Sequence, residues 1–217
     1  MGVRHIYLVR HAQREPVAGP DEFGPGLSLL GWKQALLTAR RLASIKVDVI
    51  HTSSLRRTME TARIIALEYT DIPIRPSPLL WECVPAVPEY AMTWHRAHPN
   101  VDTSAIRIPA QMTPWVGLWS DDTNLQEIEA GFEQAKAAWQ KYFIPARGKD
   151  HNDIIVCHGN IMRYFVMRAL MVPSEAWCNT DLYNCGISEI VIGDDGRIML
   201  LSHNDNGHLP AEMKTLS

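Results

Sequence analysis

The sequence predicts an α/β protein with three layers, in which helices pack on both faces of a mostly parallel central sheet with one antiparallel edge. Short apolar runs rich in β-branched residues alternate with segments of helical apolar spacing, the pattern of parallel βαβ units. Two of those runs lead directly into a histidine-bearing loop. The chain then finishes with two strand candidates around Gly193-Asp194-Asp195-Gly196, a hairpin signal.

Ile6, Tyr7, Leu8 and Val9 form the first short strand, followed by an irregular loop punctuated by Pro16, Gly19, Pro20, Gly24, Pro25 and Gly26. Ser28 is placed to cap a helix through Trp32, Ala35, Leu36, Ala39 and Leu42, ending near Ser44. Val47, Val49 and Ile50 give the next strand. Thr52-Ser53-Ser54 then offers hydroxyls to cap a helix carrying Met59, Ala62, Ile64, Ile65 and Leu67, which Asp71-Ile72-Pro73 stops. Residues 74–80 read as a short extended piece. Between 84 and 122, Pro85, Pro88, Pro99, Pro109 and Pro114 exclude long regular elements except a short helix near 89–97. Irregular insertions of this kind in α/β enzymes often flank the substrate. Asn124 opens an amphipathic helix through Leu125, Ile128, Phe132, Ala135 and Trp139 to Phe143. Residues 154–157 are a buried strand, and His158-Gly159-Asn160 begins a helix to Leu170, with Asn160 as its cap. Residues 187–192 and 197–201 form the closing hairpin.

The 217 residues fit a single domain, 1–217, and a chain of this length buries about 70% of the surface it exposes unfolded. A net charge of −3 without a basic run argues against a nucleic-acid partner. Cys83, Cys157, Cys178 and Cys185 lack the spacing of a structural metal site and read as free thiols in a reducing compartment. With no 18-residue apolar stretch and no signal-peptide core, the expectation is a cytoplasmic protein that does not engage a membrane.

The chemistry concentrates at two strand ends. In open α/β sheets, ligands bind beyond the carboxyl ends of strands, where Arg10 and His11 fall. A guanidinium fork matches a phosphate, and a neutral imidazole is a nucleophile. An ordinary surface pair would show the same letters. His158-Gly159 repeats the arrangement, and Gly159 permits close backbone approach to an anion at a helix start. Arg56 and Arg57 occupy the first turn of a helix, where the dipole disfavours cations. Either Glu60 or a bound phosphate compensates them.

Five stretches, 8–13, 27–35, 53–62, 79–82 and 157–160, together resemble the histidine phosphatase superfamily in its phosphoglycerate-mutase-like branch. Further likeness to the protein serine/threonine phosphatases of that branch runs through Arg4-His5-Ile6, Leu79 to Pro85, Asn160 to Leu170, and Leu182 with Asn184. The resemblance implies a metal-independent phosphomonoester hydrolase with no cofactor, in which His11 accepts the phosphoryl group as a phosphohistidine. Arg10, Arg57 and His158 would hold the phosphoryl oxygens, and Glu82 would protonate the leaving group and later deprotonate water. Gly159 and Arg14 join the substrate-binding set, Arg14 either meeting an acidic substrate or standing solvated. Arg56 is a surface residue or a secondary phosphate contact. The implied substrate is a phosphorylated protein or peptide, with a small-metabolite phosphatase or phosphoglycerate mutase as the alternative and a silent scaffold as the reading from another class. Ala12-Gln13-Arg14 after the first histidine and Cys83-Val84-Pro85-Ala86 after the glutamate depart from mutase patterns, which favours hydrolysis. A homodimer is an expectation by resemblance alone.

Overall fold

The structure is a computed structural model that describes residues 2–16, 23–97 and 125–216. Among the described residues six strands are formed: β1 (Arg4–Arg10), β2 (Val49–Thr52), β3 (Ile74–Pro76), β4 (His151–Cys157), β5 (Ile187–Ile192) and β6 (Ile198–Asp205). They make one sheet in the order β3-β2-β4-β1-β5-β6. β1, β2, β3 and β4 are parallel, whereas β5 pairs antiparallel with both β1 and β6. The antiparallel edge expected from the closing hairpin is therefore present, and β5 alone opposes the other strands.

The α-helices among the described residues are α1 (Leu29–Leu42), α2 (Arg56–Ala66), α3 (Glu89–Ala97), α4 (Leu125–Tyr142) and α5 (Gly159–Ala169). Alternation along β1 divides the core. Ile6 and Leu8 pack with Ala135, Tyr142 and Phe165 from α4 and α5, while Val9 packs with Ala35, Leu42 and Ile65 from α1 and α2. A third cluster joins Ala91 and Met92 of α3 to Ile128, Val166 and Trp177.

Ser28 caps α1 as expected, its hydroxyl accepting the Gly31 amide at 3.0 Å. A Cβ on Gly31 would lie 2.0 Å from the Gln13 carbonyl oxygen, so only glycine lets α1 begin against the loop that follows β1. The start of α2 differs from expectation. Leu55 is its N-cap, with no side-chain cap bond, because the serine hydroxyls are engaged elsewhere. Ser54 accepts from the Trp81 indole at 2.6 Å, and Ser53 faces the candidate site. At α5 the N-cap is His158 rather than Asn160, which lies inside the first turn. The 74–80 piece divides into β3 and a 3₁₀ turn at Pro78–Leu80. The short helix near 89–97 is α3, while the rest of the 84–122 segment from residue 98 onward, and Asn124, lie outside the described residues.

Candidate active site

β1 and β4 end level, Arg10 registering with Cys157, so His11 and His158 leave the same sheet edge side by side. Their ring centroids are 5.2 Å apart. The His11 amide donates to the Cys157 carbonyl at 2.9 Å, and its Nδ1 lies 2.8 Å from the Ala12 carbonyl oxygen. A carbonyl only accepts, so Nδ1 carries the hydrogen and Nε2 keeps its lone pair. Burial, reinforced by the Arg57 charge, pushes the His11 pKa down to about 3, leaving the ring neutral at physiological pH.

His158 is fully buried and lies with Nδ1 3.0 Å from an Arg57 guanidinium nitrogen and Nε2 3.0 Å from Ser53 Oγ. Burial first, then the positive charges of Arg57 and Arg10, hold its pKa well below the ordinary value. Arg57 points inward from the first turn of α2, whereas Arg56 is exposed and its amide donates to the Phe23 carbonyl at 2.9 Å. Glu60 accepts the Leu27 amide at 2.7 Å and so ties down the preceding loop.

Arg10 Nη1 donates to the carbonyls of Leu182 and Leu216 and lies 3.9 Å from Asp181. The Nε groups of Arg10 and Arg57 are both buried without a hydrogen-bond partner among the described residues. Buried donors of this strength call for an acceptor, and an anion between the two arginines would supply it. A Cβ on Gly159 would come within 3.5 Å of Arg10 Nε, which shows how closely the start of α5 approaches that donor.

Glu82 stands at the exposed lip and accepts the Asn160 amide at 3.1 Å. Partial desolvation on the side of its carboxyl that faces the site raises the pKa, against the pull of Arg10, Arg57 and the amide. Arg14 is half-buried, bridges to Leu27, and adds positive charge felt at His11 and Arg57. The structure thus gathers Arg10, His11, Arg57, Glu82, His158 and Gly159, with Arg14 at the margin.

Two further side chains lie in stretches that carry the family resemblance, although the sequence gives them no role in the site. Asn184 is buried and donates to the His11 carbonyl at 3.0 Å. Arg163 binds the Gly159 and Thr180 carbonyls and the Asn160 side chain, bracing the α5 start beneath Glu82. Only a folded chain places Asn184 against His11 and the Leu216 carbonyl against Arg10, because both come from segments distant in sequence. All four cysteines are free. Among the described residues no cluster of three or more acidic, histidine or cysteine side chains is arranged to hold a metal ion.

Two arginines with buried, unmatched donors, a neutral histidine and a carboxyl at the lip, set on this sheet, define a phosphoric monoester hydrolase. Comparison with known proteins agrees. The chain matches the histidine phosphatase superfamily (branch 1) over residues 6–206, and it belongs to that family. It is 34% identical over 219 residues to the serine/threonine-protein phosphatase PGAM5, mitochondrial, of Xenopus laevis, covering 96% of this chain and 68% of the relative. The human protein of the same name is 33% identical, with 99% of this chain and 66% of the relative covered. Among solved structures, a phosphoglycerate mutase from Plasmodium falciparum aligns with a TM-score of 0.58 at 28% identity, covering 97% of this chain and 96% of that one.

These relatives correct one expectation. A cytoplasmic location was inferred from the lack of a targeting or spanning segment, yet the relatives are named mitochondrial. No helix among the described residues is long and apolar enough to cross a membrane, which by itself does not decide a compartment.

Proposed function

We propose that the protein hydrolyses phosphoserine and phosphothreonine esters in proteins or peptides, without a metal, through a phosphohistidine on His11. The observation that carries this reading is the His11 Nδ1 contact with the Ala12 carbonyl, which leaves Nε2 as the nitrogen with a lone pair in a site that also holds two buried, unmatched arginine donors. Nε2 attacks phosphorus in line while the ester P–O bond breaks, and protonated Glu82 gives its proton to the departing alkoxide. Water then attacks phosphorus, Glu82 takes its proton, and the P–N bond breaks to release phosphate. Arg10, Arg57 and His158 hold the phosphoryl oxygens and offset their charge throughout. Gly159 lets the anion approach the α5 start, and Arg14 meets acidic residues of the substrate.

The names of the PGAM5 relatives support the protein substrate and a mitochondrial setting. The whole chain is assigned to one phosphatase domain, with the 84–122 segment, which begins just past Glu82 and Cys83, flanking substrate access. The test is incubation with a labelled phosphate ester followed by denaturation. An acid-labile, alkali-stable label that disappears in His11→Ala is expected, and turnover unaffected by that substitution would overturn the mechanism. A panel of phosphopeptides against phosphorylated sugars and glycerates tests the substrate class.

A further inference from the structure

Ser53 has no part in the mechanism above, yet it is among the most firmly fixed residues of the site. Its amide donates to the Val156 carbonyl at 3.1 Å, and its own carbonyl accepts the hydroxyls of Thr52 at 3.0 Å and Thr58 at 2.9 Å. The Ser53 hydroxyl, on a residue with no solvent exposure, lies 3.0 Å from His158 Nε2 and also accepts the Leu55 amide at 3.3 Å. A guanidinium has donors only, so the 3.0 Å contact from Arg57 requires an unprotonated Nδ1 on His158. The single hydrogen of the neutral ring therefore sits on Nε2, and Ser53 Oγ accepts it.

We propose that Ser53 is a positioning residue for the phosphate pocket: by accepting Nε2–H it holds His158 in the tautomer whose Nδ1 lone pair faces Arg57 and the incoming anion. The proposal rests on the phosphate reading of the site. When a phosphoryl dianion arrives, Arg57 gives up its contact with Nδ1 for the anion, and Nδ1 takes one proton from hydronium; the N–H bond forms as the O–H bond breaks, leaving water. Nε2 keeps its hydrogen on Ser53, and the imidazolium donates Nδ1–H to a phosphoryl oxygen. The groups facing the ring are the neutral His11 and the charged Arg10 from the end of β1 and the charged Arg57 from α2, with Glu82 beyond the two arginines. These cations and burial keep His158 neutral in the free protein, and a dianion reverses that balance. An alanine at position 53 would leave Nε2–H buried with no acceptor.

The experiment uses ¹⁵N-histidine-labelled full chain, with the His158 signals assigned by comparison with His158→Asn. In the wild type the free protein should show the Nε2–H tautomer, with protonation of Nδ1 on adding inorganic phosphate. Ser53→Ala should weaken inorganic phosphate binding and lower kcat/KM on p-nitrophenyl phosphate, each by about tenfold, while Ser53→Thr keeps both within about threefold. An Nδ1–H tautomer in the free wild type, undiminished phosphate binding in Ser53→Ala, or a Ser53→Thr protein that folds but is as defective as Ser53→Ala would overturn the proposal. Turnover that does not need His11 would instead overturn the phosphohistidine mechanism, and the nitrogen spectra would still decide the role of Ser53.

Discussion

The rings of His11 and His158 meet edge to face, their planes inclined at 61°, and they hold opposite tautomers. His11 gives its Nδ1 hydrogen to the Ala12 carbonyl, while His158 gives its Nε2 hydrogen to Ser53. Two rings of one chemical type thus present different nitrogens to one pocket, each selected by its fixed acceptor.

Glu82→Gln should separate substrates by leaving group. An alkoxide departs only with a proton, whereas p-nitrophenolate leaves without one. The variant should lose about 10²- to 10⁴-fold in kcat on a phosphoserine peptide and far less on p-nitrophenyl phosphate. Equal losses on both would remove Glu82 from the role of general acid.

Gly159→Ala is expected to fold, because its new methyl group would meet Arg10 Nε at 3.5 Å, an ordinary contact. That methyl would, however, cover the donor left for the anion. KM and the inhibition constant of inorganic phosphate should rise together by about tenfold, a loss near 1.4 kcal/mol of binding, with the melting temperature little changed.

Asn184→Ala removes a bracket between the nucleophile and the C-terminal segment. The side chain donates to the His11 carbonyl at 3.0 Å and accepts from Thr215 at 2.8 Å, and the backbone amide reaches the Thr215 carbonyl at 2.8 Å. Leaving those buried groups unmatched should cost about 1–3 kcal/mol, read as a lower denaturation midpoint, and kcat should fall with it. Thr215→Val should show a smaller effect of the same sign.

Acid should destabilise the fold through its buried neutral histidines. His11 is pushed down to about 3 and His51 to about 4, both chiefly by burial, against an ordinary value of 6.5. The unfolded chain takes up these protons first. The stabilisation is complete above pH 6.5 and is lost as the pH falls toward 4 for His51 and 3 for His11. His51 packs against Tyr142 with ring centroids 4.9 Å apart, so His51→Phe keeps an aromatic neighbour. Thermal melts between pH 7 and pH 4.5 should fall less steeply in that variant than in the wild type.

The elements that carry periodic apolar patterns, β1, α1, β4 and the final hairpin, were legible in the sequence because burial on a sheet imposes those patterns. So were the positions of Arg10, His11, Arg57 and His158, which stand beside strand ends or helix starts, whereas Glu82, just past a 3₁₀ turn, is marked by the family resemblance alone. Ser53 was read as a helix cap because a hydroxyl before a helix ordinarily takes that role, and only the packed structure shows that His158 claims it instead. Asn160 misled for a related reason: its amide is taken by Glu82, and the N-cap falls to the histidine. Asn184 and the Leu216 carbonyl act across distances in sequence that no local pattern encodes.

The insertion of β4 between β1 and β2 has a consequence for how the protein is made. The two N-terminal strands share no ladder; they are joined only through a strand synthesised some 100 residues after β2. During translation the hydrogen-bonding edge of β1 that faces β4 stays unpaired until His151–Cys157 emerges. A nascent or truncated chain lacking β4 therefore has an interrupted sheet with an open strand edge beside His11, the kind of edge that pairs with other chains.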